Sequence, residues 1–230
     1  MVKALTFNPL ETNCYLIADN DGAVAVVDPG CYSDKEASTL EEALDGLRPE
    51  AILLTHGHPD HVYGVARLAR KYGIPVMLSA EDNYIMERCG TLASMFGLHD
   101  VDLGFTTVPV SDGSIVKLGG LELRALATPG HTPGGISWYC ASEKVVFSGD
   151  TLFAGSIGRT DMPGGDYDVL MDSLLKKIMV LPEDTLVLPG HGPETTIGRE
   201  AATNPFLEPF NEPLRDGFDD IEPIALDGLK

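Results

Sequence analysis

The 230-residue chain reads as a layered α/β sandwich. Three observations predict this. Short apolar runs bounded by Gly, Pro, Asp or Asn recur along the whole sequence, the mark of buried strands. Segments with apolar residues at helical spacing fall between several of those runs. Other runs follow each other too closely for a crossover helix, as hairpin neighbours do, so a pure βαβ repeat does not fit.

Candidate strands lie at 14–18, 24–28, 51–55, 75–79, 106–110, 121–127, 136–140, 144–147 and 185–188. Most are rich in Val, Ile, Leu or aromatic residues. Ser33-Asp34-Lys35-Glu36 is a capping box, which opens a helix running to about Leu44. Val65, Leu68 and Ala69 share a face of a helix over 62–72, and Leu170, Leu174, Leu175 and Ile178 form another stripe. The stretch 81–98 has a less regular helical pattern. After about Arg199 the composition changes: Pro205, Pro209, Pro213 and Pro223 appear and acids outnumber bases. We divide the chain into a catalytic domain over 1–200 and an acidic, Pro-rich tail over 201–230, expected to hold one short helix and then an extended segment.

Lys and Arg total 16 against 35 Asp and Glu, a formal charge of −19. Such a surface repels phosphate backbones and anionic lipid, so neither nucleic acid nor membrane is expected as a partner. It attracts cations. No run of about 18 apolar residues exists to span a bilayer, and the N-terminal residues lack the apolar stretch of a signal peptide. Cys14, Cys31, Cys89 and Cys140 are scattered without a C-x-x-C pair, as expected of reduced, buried thiols in a cytoplasmic protein.

The histidines carry the functional signal. Three of the six fall in one hexapeptide, His56-Gly57-His58-Pro59-Asp60-His61. His131 and His191 each follow a Pro-Gly pair, and Asp150 follows Ser148-Gly149. Each of these positions comes directly after an apolar run, so four strand ends deliver imidazoles or carboxylates where the chain turns. A lone histidine after a strand is usually a satisfied turn residue. Four metal-capable side chains within six residues are not, because buried His and Asp are costly unless paired or ligated. Imidazole with carboxylate suits zinc, iron or manganese. His99, in a polar Gly-Leu-His-Asp loop, reads as an ordinary loop residue.

At these residues the chain resembles the metallo-β-lactamase superfamily. The ordered set is Asp28 in Val-Asp-Pro-Gly, the H-x-H-x-D-H string at 56–61, then His131, Asp150 and His191. The resemblance implies a four-layer αββα sandwich with two metal ions at one edge of its sheets. Zinc is the first candidate, and iron or manganese are compatible. It gives one metal His56, His58 and His131, the other Asp60, His61 and His191, with Asp150 bridging. Asp28 would help hold the ligand loops, or simply form the turn before Pro29-Gly30.

Within the superfamily the chain looks most like the glyoxalase-II-like hydrolases, on Ser-Gly-Asp-Thr-Leu-Phe at 148–153, Gly-Arg-Thr-Asp at 158–161 and Pro-Gly-His-Gly-Pro at 189–193. Full-length members carry a C-terminal helical domain that grips glutathione. Too little chain follows His191 for one, so the compact branch is expected. The resemblance implies hydrolysis of a small-molecule thioester such as a hydroxyacylglutathione. Coordination moves the pKa of a shared water from 15.7 towards ~7, so hydroxide is available at neutral pH. Asp60 and Asp150 would orient it. Arg159 is a candidate grip for an anionic substrate, or a brace for its own loop. Tyr63 would line the pocket or pack in the core. The alternatives are a persulfide dioxygenase using one non-haem iron on His56, His131 and Asp150, or a hydrolase of another ester or lactone. The oligomeric state is open.

Overall fold

Alternation within single strands decides the layers. In Ala23–Val27, Val24 and Val26 join one buried cluster while Ala23, Ala25 and Val27 join another. Side chains of a strand point to opposite faces with period two. A sheet covered on both faces therefore reads as a continuous apolar run.

The computed structural model describes residues 1–207. Its first sheet runs β1 (Val2–Phe7), β2 (Thr12–Ala18), β3 (Ala23–Val27), β4 (Arg48–Leu53), β5 (Val76–Ser79), β6 (Thr107–Val110), in that spatial order. The first three strands pair antiparallel; β3 to β6 pair parallel. The parallel crossovers carry helices: α1 (Asp34–Ala43), α2 (Pro59–Val62), α3 (Val65–Tyr72), α4 (Asn83–Met86) and α5 (Cys89–Met95).

The second sheet contains β7 (Ile115–Leu118), β8 (Leu121–Ala127), β9 (Ile136–Cys140) and β10 (Val145–Gly149). A small hairpin, β11 (Leu152–Phe153) and β12 (Ser156–Ile157), follows, then α6 (Tyr167–Ser173). The chain re-enters the sheet at β13 (Leu186–Pro189) and β14 (Thr195–Thr196) and closes with α7 (Ile197–Thr203). The spatial order is β14-β13-β10-β9-β8-β7. Only β10 and β13 pair parallel.

Three buried clusters separate four layers. Ile17, Leu53, Leu123, Trp138 and Phe147 fill the space between the sheets. Leu40 of α1, Val65 and Leu68 of α3 and Cys89 of α5 cover the outer face of the first sheet, against Ile52 and Leu78. Leu170 of α6, Leu174, Ile178 and Ile197 of α7 cover the outer face of the second, against Val146 and Val187. This is the αββα sandwich that the resemblance implied. The four cysteines are free and buried, and among the described residues no helix is long and apolar enough to cross a membrane.

Sequence and structure differ at the periphery. The strands read from the sequence lack the two-residue β11, β12 and β14 and, among the longer ones, β1 and β7. Both are edge strands: only Phe7 of the first and Leu118 of the second are fully buried, so neither shows a long apolar signal. The helix expected over 62–72 starts at Val65, because Gly64 N-caps it and the separate turn α2 precedes. The stripe through Ile178 ends in a wide π turn, Leu174–Ile178. The stretch 81–98 divides into α4 and α5. The capping box at Ser33 forms as read, with Ser33 accepting from the Glu36 N–H. Of the tail, Leu207 is buried in the third cluster; the extended segment expected from 208 on lies outside the described residues.

Trp138 joins the sheets by packing and by its indole N–H, which donates to the Leu54 carbonyl at 3.0 Å. Trp138→Ala should lower unfolding free energy by about 3–5 kcal/mol. The denaturant midpoint of the metal-replete protein, at unchanged slope, measures this.

Candidate metal centre

The C-terminal ends of four strands meet at one edge of the sandwich. β4 leads through Leu54-Thr55 to His56, β8 through Thr128-Pro129-Gly130 to His131, β10 to Asp150, and β13 through Gly190 to His191. Strands fix their ends more rigidly than free loops do. The single turn α2, with Pro59 at its first position and His58 as its cap, carries Asp60 and His61. A Cβ at Gly190 would overlap the Asp150 carboxylate and crowd the His61 ring, so only glycine lets this strand end approach the centre.

The seven side chains form overlapping groups. His56, His58 and His131 bring one nitrogen each within ligating distance of one another; so do Asp60, His61 and His191 with a carboxylate oxygen. His56 Nε2 and His131 Nε2 each lie 3.0 Å from His58 Nδ1. In the second group His61 Nε2 and His191 Nε2 each lie 3.3 Å from Asp60 Oδ2. Asp150 stands between them: Oδ2 is 3.5 Å from both His131 Nε2 and His191 Nε2, and Oδ1 is 3.5 Å from His61 Nε2.

The far nitrogens decide what these atoms can do. His61 Nδ1 donates to Asp28 Oδ2 at 2.9 Å, His131 Nδ1 to the Arg159 carbonyl at 2.8 Å, and His191 Nδ1 to the Leu10 carbonyl at 3.0 Å. His56 Nδ1 reaches Thr55 Oγ1 at 3.0 Å, whose own proton goes to Asp28 Oδ2 at 2.6 Å. Carbonyls and carboxylates only accept, so each of these imidazoles keeps its proton on Nδ1 and aims the Nε2 lone pair inward. Lone pairs facing each other need a cation between them. His61 Nε2 and Asp150 Oδ1 are buried and without a hydrogen-bond partner, as ligand atoms awaiting a metal are. The residues present therefore fit two divalent ions.

Electrostatics agree with the geometry. Burial, reinforced by neighbouring imidazoles, holds His56 well below the usual histidine range and pushes His58 down to about 3. Both stay neutral, as a metal ligand must. Burial opposes ionisation of Asp60, but the facing His61 and His191 outweigh it and hold the carboxyl well below the usual range. Burial likewise disfavours charge on His61, yet Asp60, Asp150 and Asp28 together pull it up. The carboxylates thus demand positive charge at this point.

Two buried aspartates hold the ligand loops without facing the centre. Asp28 follows β3 with φ of 48°, a left-handed conformation uncommon outside glycine and one that Asp adopts more readily than most residues. Its Oδ1 accepts from the Thr55 N–H at 2.8 Å, and its Oδ2 accepts from Thr55 and His61. It does more than form a turn. Asp82 was not singled out from the sequence. Its side chain accepts from the Gly57 N–H at 2.7 Å, Thr132 Oγ1 at 3.0 Å and the Gly134 N–H at 2.6 Å. It ties the loop of His56 and His58, from the first sheet, to the loop of His131, from the second. One Asp in a run such as Ala-Glu-Asp-Asn carries no local sign of this.

A cavity of about 390 Å³ opens over the centre, with Leu10, Phe96, Phe153, Ile157 and Met162 in its walls. Arg159 also lines it, with both forks of its guanidinium on Asp161. Tyr63, expected to line the pocket or to pack in the core, is in the first core. Its hydroxyl donates to the His99 carbonyl at 2.7 Å and its ring meets Tyr32 edge-on. The turn α2 directs His61 inward and so turns Tyr63 the other way. His99 stacks on Tyr32 as a loop residue and belongs to none of the ligand groups. Lys144 pairs with Asp184 outside the cavity.

This fold and ligand set define a metallo-hydrolase architecture. The profile of the metallo-beta-lactamase superfamily matches residues 7–191, and the chain belongs to that superfamily. Hydroxyacylglutathione hydrolase GloC of Haemophilus influenzae is 39% identical over 208 residues, covering 90% of this chain and 97% of that protein. The structure of the BLEG-1 B3 metallo-beta-lactamase superposes with a TM-score of 0.82 at 37% identity, covering 90% of this chain and 99% of that one. TTHA1623, solved in a di-iron-bound form, gives 0.79 at 41% identity, covering 89% and 100%.

Two substitutions test the centre. Asp150→Ala should reduce bound metal below two ions per chain, measured by elemental analysis after dialysis. Asp82→Ala should weaken metal affinity by about 10- to 100-fold while the far-UV circular dichroism is kept. Competition against a chromophoric chelator reads the change.

Proposed function

We propose that the chain is a dinuclear-metal thioesterase acting on small acyl thioesters such as a hydroxyacylglutathione. One observation carries this reading. Among the described residues lining the cavity, every histidine and every acid belongs to the ligand set. No histidine or acid outside that set is left over as a dedicated general acid for a leaving group. A thiolate departs without one, whereas an amine does not.

Two metal ions bound by the two triads would activate a water and polarise a carbonyl. The chain's own contribution is orientation. Asp60 Oδ2 is fixed by the Thr12 hydroxyl at 2.8 Å, and the Asn8 side chain holds the Asp60 carbonyl at 2.9 Å. Asp60 and Asp150 thus offer acceptors for the protons of a water between them. Leu10, Phe96, Phe153 and Ile157 lower the polarity of the cavity's walls, which strengthens charge interactions beside them. The completeness of both triads favours two metals over the mononuclear iron site of a dioxygenase. Zinc remains our first candidate; the same donors accept iron or manganese. The GloC relative supports the thioester and the acidic chain supports a small-molecule partner. A cytoplasmic setting agrees with four unpaired cysteines.

Loss of thioester absorbance with S-lactoylglutathione tests the reading. We expect hydrolysis that a chelator abolishes and zinc, iron or manganese restores. Oxygen uptake with glutathione persulfide, or nitrocefin turnover, without thioester hydrolysis would overturn it.

A further inference from the structure

Among the described residues that line the cavity, Arg159 is the single Lys or Arg. Its guanidinium is already engaged. Nε donates to Asp161 Oδ1 at 2.7 Å and Nη2 to Asp161 Oδ2 at 2.8 Å, a bidentate pair. Arg159 in turn holds the Asp161 carboxyl down at about 2, so both partners are charged at neutral pH.

The backbone around this pair is fixed. The Arg159 carbonyl accepts from the metal-ligand candidate His131 at 2.8 Å. A Cβ at Gly158 would overlap the Asp150 carbonyl, and the Gly158 N–H donates to the Thr151 carbonyl at 3.2 Å. The Gly165 N–H closes the far side of the loop on the Met162 carbonyl at 2.9 Å. Arg159 therefore meets the cavity as one half of an ion pair rather than as a free cation. Apart from the ligand set and Ser156 the other lining residues are apolar, and the chain carries a formal charge of −19.

We propose that Asp161 sets the charge preference of this cavity: by occupying Arg159, it makes the site select thioesters on an apolar or uncharged portion and gain little from a multiply anionic thiol carrier. The inference rests on the thioesterase reading. A glutathione thioester enters as one acyl thioester among others, its carboxylates unrewarded. Asp161 takes Nε and Nη2, so an anion at the remaining N–H groups of Arg159 also meets the Asp161 carboxylate beside them, and its gain is reduced by that like charge.

The test compares the lactoyl thioesters of glutathione and of uncharged N-acetylcysteamine in the metal-replete protein. The wild type should show kcat/KM values for the two within about threefold. Asp161→Asn keeps the shape and removes the charge. It should raise the ratio in favour of glutathione by about fivefold, roughly what one exposed ion pair contributes. The gain should fade at high salt and vanish when Arg159→Ala is added. An unchanged ratio in Asp161→Asn, or a gain that survives loss of Arg159, overturns the proposal. If neither ester is hydrolysed, the thioesterase reading fails separately, and binding of S-methylglutathione decides. Tighter binding to Asp161→Asn sustains the charge role; equal binding overturns it.

Discussion

A buried neutral imidazole has one proton and two nitrogens, and where the proton goes fixes everything else at this centre. Four of the five clustered histidines have an acceptor at Nδ1: a carboxylate for His61, a hydroxyl for His56, carbonyls for His131 and His191. Each acceptor comes from a different part of the chain. Leu10 precedes β2, Asp28 ends β3, and Arg159 follows the β11–β12 hairpin. The ring orientations, and so the convergence of lone pairs, depend on those segments being in register. Asp28 accepts the left-handed backbone that lets one carboxylate serve Thr55 and His61 together.

Much of this was legible in the sequence, for a physical reason. Metal ligands must be His, Asp or similar types, and buried examples have no other use that tolerates their density. The seven positions named from 56 to 191 are the ones the structure gathers. The inner strands were equally legible, because burial on both faces leaves an uninterrupted apolar run. Edge strands β1 and β7 were not, since half-exposed strands carry mixed side chains. Asp82 was not legible either. A carboxylate that accepts two backbone N–H groups and a hydroxyl has no local signature. Its partners lie 25 and about 50 residues away in sequence. Tyr63 was left between pocket and core by the sequence, and the structure puts it in the core, since the helical turn sends side chains two residues apart to opposite sides.

Substrate recognition is where sequence reading gave least. Arg159 was visible as a cation near the motif, but its meaning depends on Asp161, two residues on. The pair makes an apparent anion grip one half of an ion pair. Around it the cavity owes its character to Leu10, Phe96, Phe153 and Met162, which come from four separate segments. Apolar residues of this kind look the same in sequence whether they line a cavity or fill a core.

The ligands divide between the two sheets. His56, His58, Asp60 and His61 belong to the first, and His131, Asp150 and His191 to the second. The site is therefore a seam, complete only while the halves are docked. An ion that takes donors from both halves would favour the docked form, and by mass action its occupancy would add to the free energy of holding the halves together. Ions held at this seam would therefore contribute to stability as well as to turnover.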